Sequence, residues 1–208
     1  MIRASRLGLV HLVRHGETVG ESAVRYWGRT DLALSEVGRA QVRGLAAALP
    51  APRVDVVVHS PLRRAVESAQ ILIEHWQLGQ AAVRVEPGFG EVDFGDFEGL
   101  TRDEIAARDP AWFATWERGE HVGFPGGDTL AAFSARVGAA FERVQTELAG
   151  DLLVVVHRGV IRQIANALVP GAGDQPTHLA SLSTLDVPDA RVVRWNERGD
   201  ENADPRPR

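Results

Sequence analysis

Short runs of branched apolar residues alternate with longer amphipathic segments along this chain, and this alternation limits the fold more than any other feature of the sequence. The apolar runs lie at residues 7–13, 54–58, 83–85 and 152–156. Segments with helical spacing lie at residues 35–49, 61–76, 128–148 and 158–168. Strands that are apolar on both faces must be covered on both faces. The pattern therefore predicts an α/β fold, with three α/β/α layers and a largely parallel central sheet.

Capping residues predict where several helices begin. Ser35 and Asp128 are placed to cap the first helix and the long helix. Thr101 is followed by Glu104 three residues later, which is the spacing of a capping box for a short helix. Side chains of this kind bind the free N–H groups of a first helical turn.

The C-terminal part of the chain completes the sheet. Residues 179–187 and 192–195 have the composition of strands. The sequence contains no repeat and no linker, so we expect residues 1–198 to form a single domain. Residues 199–208 are charged and contain proline, and we expect this tail to be disordered.

Cationic and imidazole side chains follow three of the predicted parallel strands. Arg14 and His15 come directly after the first strand, Arg63 comes shortly after the second, and His157 follows the fourth. Because the carboxyl ends of parallel strands meet at one edge of a sheet, we expect these side chains to lie close together. A guanidinium matches phosphate oxygens and keeps its charge. The sequence therefore indicates a site for a dianionic group.

His15 is the candidate nucleophile of this site. Neighbouring cations disfavour the imidazolium form, so the ring should be neutral near pH 7. A carboxylic acid is then needed to protonate the departing oxygen. Glu91, in the glycine-rich stretch GFGEVDFGDFEG, is placed for this role by the predicted topology. Asp93, Asp96 and Glu98 of the same stretch compete with it.

Composition excludes several classes of function. The formal net charge of −5 gives no support to nucleic-acid binding, which needs a basic surface. The chain has no cysteine, which excludes disulfides, thiolate metal sites and thiol catalysis. No HExxH-type spacing supports zinc, and we expect neither a metal nor a cofactor. The N-terminal apolar stretch is too short for a secretory signal or a membrane span, so we expect a cytoplasmic protein. The sequence leaves a homodimer open.

Five motifs occur in a fixed order along the chain, and together they resemble the histidine phosphatase superfamily, also called the phosphoglycerate mutase-like family. The motifs are LVRHGET, WGRTDLALSEVG, SPLRRAVESAQ, EVDFGDFEGLTRDEI and VVVHRGVIR. RHG alone would be a weak signal, whereas five motifs in the correct order are a strong one. The similarity covers about the first four fifths of the chain.

The resemblance implies a role for each matched residue. His15 would be phosphorylated, and Arg14, Gly16, Arg63 and His157 would hold the phosphoryl group. In the SPLRRA motif, the residue that we match is the first arginine, and the second is expected to be structural. Glu91 would protonate the leaving group and then activate water. Fixed cations would stabilise the transferring phosphoryl group, so the resemblance implies no metal.

The sequence departs from the family pattern at two places. The family often has Trp and Asn five and six residues after the nucleophilic histidine, where this chain has Gly20 and Glu21. Glu21 would repel phosphate, so either Ser22 replaces the asparagine or the loop is rearranged. Arg158 stands where the family usually has glycine directly after the second histidine. Together with Arg29, these side chains are candidates for substrate specificity.

The resemblance favours a phosphatase that acts on small phosphate monoesters over three alternatives. A cofactor-dependent phosphoglycerate mutase would carry a longer segment before the second histidine and an ERHYG-like element, which this chain lacks. The stretch RYWGRTDLALS is similar to alpha-ribazole phosphatases, which is a narrower substrate hypothesis. A phosphate-binding module without catalysis is the alternative from another class, although the matched nucleophile, arginines and second histidine are all present.

Overall fold

A computed structural model describes residues 7–120 and 122–199. Of the tail that we expect to be disordered, residues 199–208, all but residue 199 lie outside the described residues. The described residues form a central sheet in the order β3-β2-β4-β1-β5-β6. Its strands are β1 (Leu7–Arg14), β2 (Val56–His59), β3 (Ala82–Val85), β4 (Gly150–Val156), β5 (Ser181–Asp186) and β6 (Arg191–Arg198).

The first four strands are parallel, and the last two are antiparallel additions at one side of the sheet. Arg14 pairs with Val156, and His59 pairs with Val155. The carboxyl ends of β1, β2 and β4 therefore meet at the same height. This register brings the residues that follow these strands to one edge of the sheet.

Helices cover both faces of the sheet within the described residues. They are α1 (Glu36–Ala48), α2 (Arg63–His75), α3 (Arg102–Arg108), α4 (Pro110–Glu117), α5 (Leu130–Glu147) and α6 (Arg158–Leu168). One core packs α5 and α6 against Leu12 and Val154, and the other packs α1 and α2 against Val13 and Val155. Alternate residues of β1 and β4 thus serve opposite cores, as two-sided strands require. The predicted three-layer α/β fold is confirmed.

Capping side chains begin most helices as predicted, with one correction. Ser35 accepts a hydrogen bond from the N–H of Gly38, and Thr101 forms the predicted capping box with Glu104. The prediction that Asp128 caps the long helix is wrong, because Thr129 is the N-cap of α5. The carboxylate of Asp128 instead accepts from the N–H of Asp93, across the glycine-rich stretch.

Two glycines allow α1 to pack closely against the loop that follows β1. A Cβ atom on Gly38 would lie 1.9 Å from the carbonyl oxygen of Glu17, and one on Gly16 would lie 2.4 Å from the carbonyl oxygen of Gly38. No side chain fits between these two backbones. The close contact fixes the loop that begins with His15.

Candidate active site

A cavity of about 480 Å³ opens beyond the carboxyl ends of β1 and β4. Its lining includes Arg14, His15, Glu91, Arg158 and Thr177. Arg14 is the last residue of β1, and His15 comes directly after it. Glu91 lies in the glycine-rich stretch, and Arg158 is the first residue of α6. Three predicted site residues therefore line one cavity, together with two predicted specificity residues, Ser22 and Arg158.

His15 is held rigidly by its backbone and by one ring nitrogen. Its N–H donates to the carbonyl of Val156 (3.1 Å), and its carbonyl accepts from the N–H of Ala180 (3.1 Å). The ring Nδ1 lies 2.7 Å from the carbonyl oxygen of Gly16. Because a carbonyl only accepts, Nδ1 carries the proton and the lone pair is on Nε2. The arrangement leaves Nε2 as the nucleophilic atom.

The surroundings of His15 keep its ring neutral. The side chain is only 4% exposed. Burial lowers the pKa of His15 well below its usual value, and the positive charges of Arg64 and Arg14 lower it further. The expected direction is therefore confirmed, although burial contributes more than the cations do. A neutral imidazole is the form that can attack phosphorus near pH 7.

His157 lies beside His15 and is completely buried. The two ring centroids are 5.1 Å apart. Arg64 Nε approaches His157 Nδ1 at 3.3 Å, and His157 Nε2 lies 2.7 Å from the hydroxyl oxygen of Ser60. Since a guanidinium only donates, Nδ1 accepts and Nε2 donates to Ser60. Burial, followed by Arg64, lowers the pKa of His157 well below its usual value.

The two adjacent arginines at the start of α2 have the reverse of the predicted positions. The Arg63 side chain is 62% exposed and lies 3.8 Å from the Glu67 carboxylate, away from the cavity lining. Arg64 is fully buried and donates to the carbonyls of Thr30 (2.9 Å) and Gly28 (2.7 Å) as well as to His157. The Arg63 side chain therefore does not line the cavity, and Arg64 is the arginine of this pair that contacts His157.

Arg14 places a second guanidinium at the cavity. One terminal nitrogen donates to the carbonyl of Thr177 at 2.7 Å. Its Nε is buried and has no hydrogen-bond partner among the described residues. Burial, with a contribution from Arg158, lowers the pKa of Arg14 to about 10, so the side chain is still cationic at neutral pH. A buried donor without a partner is a suitable contact for an anionic ligand.

Glu91 is the carboxylate of the glycine-rich stretch that lines the cavity. One of its oxygens accepts from the N–H of Gly159 (3.1 Å), and the other accepts from its neighbour Val92 (3.0 Å). A Cβ atom on Gly159 would lie 2.4 Å from Oε1 of Glu91, which is the oxygen that accepts from Val92, so this close approach depends on glycine. The contact joins Glu91 to the first turn of α6.

The competing acids of that stretch are engaged elsewhere. The Glu98 carboxylate accepts from the N–H groups of Gly28, Arg29 and Phe94 (3.0–3.1 Å). Asp93 accepts from the N–H of Gly95 (2.9 Å), and Asp96 is exposed. None of the three is among the residues that line the cavity. Of the four acids of this stretch, only Glu91 lines the cavity with His15.

A family model for the histidine phosphatase superfamily (branch 1) matches residues 10–198. The chain belongs to the histidine phosphatase superfamily. This match covers most of the chain and includes both histidines and Glu91. The sequence-based prediction of the family is confirmed.

Relatives of several kinds occur within the superfamily. The chain is 37% identical over 166 residues to bifunctional protein Rv2228c of Mycobacterium tuberculosis, which corresponds to 78% of this chain and 44% of that protein. It therefore spans less than half the length of that relative. It is 34% identical over 150 residues to phosphoserine phosphatase 1 of Hydrogenobacter thermophilus, covering 72% of this chain and 70% of the relative.

A solved structure from the superfamily has the same fold. The alpha-ribazole phosphatase of Shigella flexneri superimposes with a TM-score of 0.74 at 25% identity. The superposition covers 93% of this chain and 100% of that one. The fold of this chain is therefore similar to that of the Shigella flexneri enzyme.

The remaining predicted site residues have different positions. Glu21 has a positive φ of 58°, and its side chain is 72% exposed and pairs with Arg25. Arg29 is 82% exposed and lies 3.5 Å from Asp93. Neither lines the cavity. The predicted repulsion of phosphate by Glu21 and a substrate contact by Arg29 are not supported by these positions.

Two of the remaining predicted residues have local hydrogen-bond partners, and a third, Arg158, lines the cavity. Ser22 lines the cavity and donates to the Glu17 carboxylate (2.9 Å). Gly16 donates its N–H to the Ser68 hydroxyl (3.3 Å) and accepts from His15, so its backbone orients the nucleophile. Arg158 is exposed and lines the cavity, with no hydrogen bond or ion pair to another described residue.

Sequence reasoning did not identify Arg64 or Ser60 as partners of His157.

Two features are absent from residues 7–120 and 122–199. No cluster of three or more His, Asp or Glu side chains in this range could hold a metal ion. No helix in the same range has the length and hydrophobicity needed to span a membrane.

Proposed function

We propose that this chain hydrolyses small phosphate monoesters through a phosphohistidine at His15. The observation that carries the proposal is the tautomer of His15, whose Nδ1 proton is held by Gly16 while Nε2 is left as a buried lone pair. This nucleophile lines a cavity with Arg14 and Glu91. The arrangement contains a nucleophile, a cation and an acid in one place.

The reaction requires two displacements at phosphorus. In the first, His15 Nε2 forms a bond to phosphorus while the ester P–O bond breaks, and Glu91 gives its proton to the departing oxygen. In the second, Glu91 takes a proton from water, the water oxygen bonds to phosphorus, and the N–P bond breaks. The products are an alcohol and inorganic phosphate, and two inversions give net retention at phosphorus.

Fixed positive charge supports both displacements. Arg14 has a buried Nε available for a phosphoryl oxygen. Arg64 is held by the carbonyls of Gly28 and Thr30, so its charge is already oriented before substrate binds. We propose that Arg14 and Arg64 stabilise the charge on the transferring group, that the neutral ring of His157 helps to hold Arg64 in place, and that the reaction needs no added metal.

A substrate comparison tests this proposal. Hydrolysis of p-nitrophenyl phosphate, with competitive inhibition by phosphate or vanadate and full activity in EDTA, is the expected result. Activity with 3-phosphoglycerate that requires 2,3-bisphosphoglycerate would indicate a mutase instead. Loss of activity in EDTA that a divalent ion restores would contradict the metal-free mechanism. Binding of phosphate without any turnover would indicate a phosphate-binding module.

The role of Glu91 is tested by the dependence on the leaving group. An alkoxide needs a proton to depart, whereas p-nitrophenolate does not. We expect Glu91→Gln to lower kcat/KM for propyl phosphate at least about 30-fold more than for p-nitrophenyl phosphate. Asp96→Asn, in the same stretch but exposed, is the matched control and should leave both values unchanged. Equal losses on both substrates in Glu91→Gln would reject Glu91 as the acid.

We propose that Arg158 binds a second anionic group on the substrate. It lines the cavity, and its charge is close enough to Arg14 to lower the pKa of that residue. Arg158→Gly should lower kcat/KM for a carboxylated phosphate monoester about tenfold and leave glycerol phosphate unchanged. Parallel changes with both substrates would reject this role.

We also propose a physiological substrate, a cellular location and an oligomeric state for this chain. The alpha-ribazole hypothesis has support from the fold of the Shigella flexneri enzyme, and the H. thermophilus relative adds phosphoserine as a candidate. A screen of phosphorylated metabolites that includes both compounds distinguishes them. Cytoplasmic location and a homodimer stay predictions, which fractionation and analytical ultracentrifugation test.

A further inference from the structure

Four aromatic side chains on one side of the cavity are not used by the phosphoryl-transfer chemistry. Tyr26, Phe94, Trp116 and Phe124 all line the cavity, and we name them the aromatic wall. The ring centroids of Tyr26 and Phe94 are 5.4 Å apart, those of Tyr26 and Trp116 are 5.2 Å apart, and those of Phe94 and Phe124 are 4.9 Å apart. The four rings therefore form one continuous surface.

Backbone hydrogen bonds hold the aromatic wall in place. The N–H of Tyr26 donates to the carbonyl of Leu100 (2.9 Å), and the N–H of Gly99 donates to the carbonyl of Tyr26 (2.8 Å). The rings meet nearly edge to face, at interplanar angles of 71° to 78°. Edge-to-face packing is a favourable geometry for aromatic pairs. The wall is thus formed before substrate arrives.

Apolar side chains with substantial exposure extend the wall. Val24 and Leu130 also line the cavity, and they are 50% and 38% exposed. Exposed apolar surface inside a cavity indicates a site for an apolar part of a ligand. The cavity volume of about 480 Å³ lies in the range of sites for drug-sized ligands, so a phosphoryl group fills only part of it.

Other residues of the lining are polar. Helix α6 contributes Arg158, Arg162 and Gln163 to the lining. Arg162 pairs with Asp174 (3.0 Å), and Gln163 accepts from Ser134 (3.0 Å). The lining therefore contains both aromatic and charged side chains, together with His15 and Glu91.

We propose that the leaving alcohol of the substrate carries an aromatic ring, which packs against the aromatic wall while the phosphoryl group lies at His15. This inference rests on the proposed hydrolase function and specifies its substrate class. Burial of one ring face removes apolar surface from water and adds ring–ring contact. The enzyme therefore prefers aryl-bearing phosphate monoesters to alkyl ones.

Two substrates with alcohols of similar acidity test the preference. We expect kcat/KM for 2-phenylethyl phosphate to exceed that for propyl phosphate by at least about tenfold. Tyr26→Ala and Trp116→Ala should each reduce this ratio at least about fivefold, whereas Tyr26→Phe, which keeps the ring, should preserve it. Phe113→Ala is the control, because Phe113 contacts Trp116 (5.8 Å between centroids) and does not line the cavity.

A wild-type ratio near one would overturn the proposal, and so would an equal fall of the ratio in Phe113→Ala. Failure of the proposed hydrolase function has a different signature, which is no turnover of either ester or of p-nitrophenyl phosphate. In that case, calorimetric binding of 2-phenylethylphosphonate and propylphosphonate decides the question. Tighter binding of the aryl compound that requires Trp116 supports the aromatic wall, and equal binding rejects it.

Discussion

Adjacent arginines at the start of α2 have opposite surroundings and different expected effects on catalysis. The Arg63 side chain lies in solvent beside Glu67, and only its backbone N–H is bound, by the Asp31 carboxylate (2.7 Å). Arg64 joins two carbonyls of the 28–30 turn to Nδ1 of His157. Its removal leaves buried acceptors without a donor.

We therefore expect Arg64→Lys to be damaging and Arg63→Lys to be nearly silent. A lysine keeps the charge but loses the planar set of donors. Arg64→Lys should lower the free energy of unfolding by about 2 kcal/mol and kcat/KM by at least about tenfold, while Arg63→Lys stays within about 0.5 kcal/mol. Thermal unfolding and steady-state kinetics measure both values. Equal effects of the two substitutions would contradict the assignment to Arg64.

The spacing of residues along α2 distinguishes Arg64 from Arg63. Arg64 falls on the stripe formed by Ala65, Ser68 and Leu72, all buried in α2. Arg63 is four residues before Glu67, which is the spacing of an exposed ion pair. Motif matching assigned the phosphate contact to the neighbouring position because two arginines stand side by side. The partnership of Arg64 with Thr30 could not be predicted, because it joins distant segments through backbone carbonyls.

Strand β1 contains a buried histidine that makes the stability of the sheet dependent on pH. His11 Nδ1 lies 2.9 Å from the Thr184 hydroxyl of β5, and Nε2 has no partner among the described residues. Burial, with a smaller contribution from Arg194, lowers the pKa of His11 to about 4. The folded protein therefore disfavours the protonated ring more than the unfolded chain does.

The sign of this effect follows from the lowered pKa. The unfolded chain binds a proton at His11 near pH 6.5, whereas the folded protein does so only near pH 4. Stability is therefore complete above pH 6.5 and is lost as the pH falls towards 4, by about 3 kcal/mol from this residue. His11→Asn should remove the part of this pH-dependent loss of stability that comes from His11. Urea unfolding at pH 7 and pH 4.5 measures it, and an identical loss in both proteins would contradict the role of His11.

At the level of secondary structure, periodicity and capping predicted the elements that lie on the sheet. The alternation of apolar strands with helices gave the layers, and Ser35 and Thr101 marked helix starts correctly. The sequence did not distinguish Asp128 from Thr129 as an N-cap, since both residue types serve that function. Helix α4 was not predicted, although Asp109 caps it and Pro110 is its first residue.

For the whole molecule, the sheet connects distant parts of the described chain. Residues of β1 pair with both β4 and β5, which are more than 130 residues away in sequence. We propose residues 1–198 as one domain, and we expect a single unfolding transition that is the same by circular dichroism and by tryptophan fluorescence. A chain that ends at residue 199 should keep that transition and the activity. Two separate transitions would contradict a single domain.

The covalent intermediate at His15 tests the central claim most directly. Protein mixed with a phosphorus-labelled monoester and quenched during turnover should carry label that survives alkali and is lost in acid, as a phosphoramidate requires. His75→Ala, at the exposed end of α2, should label like the wild type, and His15→Ala should neither label nor hydrolyse substrate. Label that survives acid, or substantial turnover by His15→Ala, would contradict the phosphohistidine mechanism.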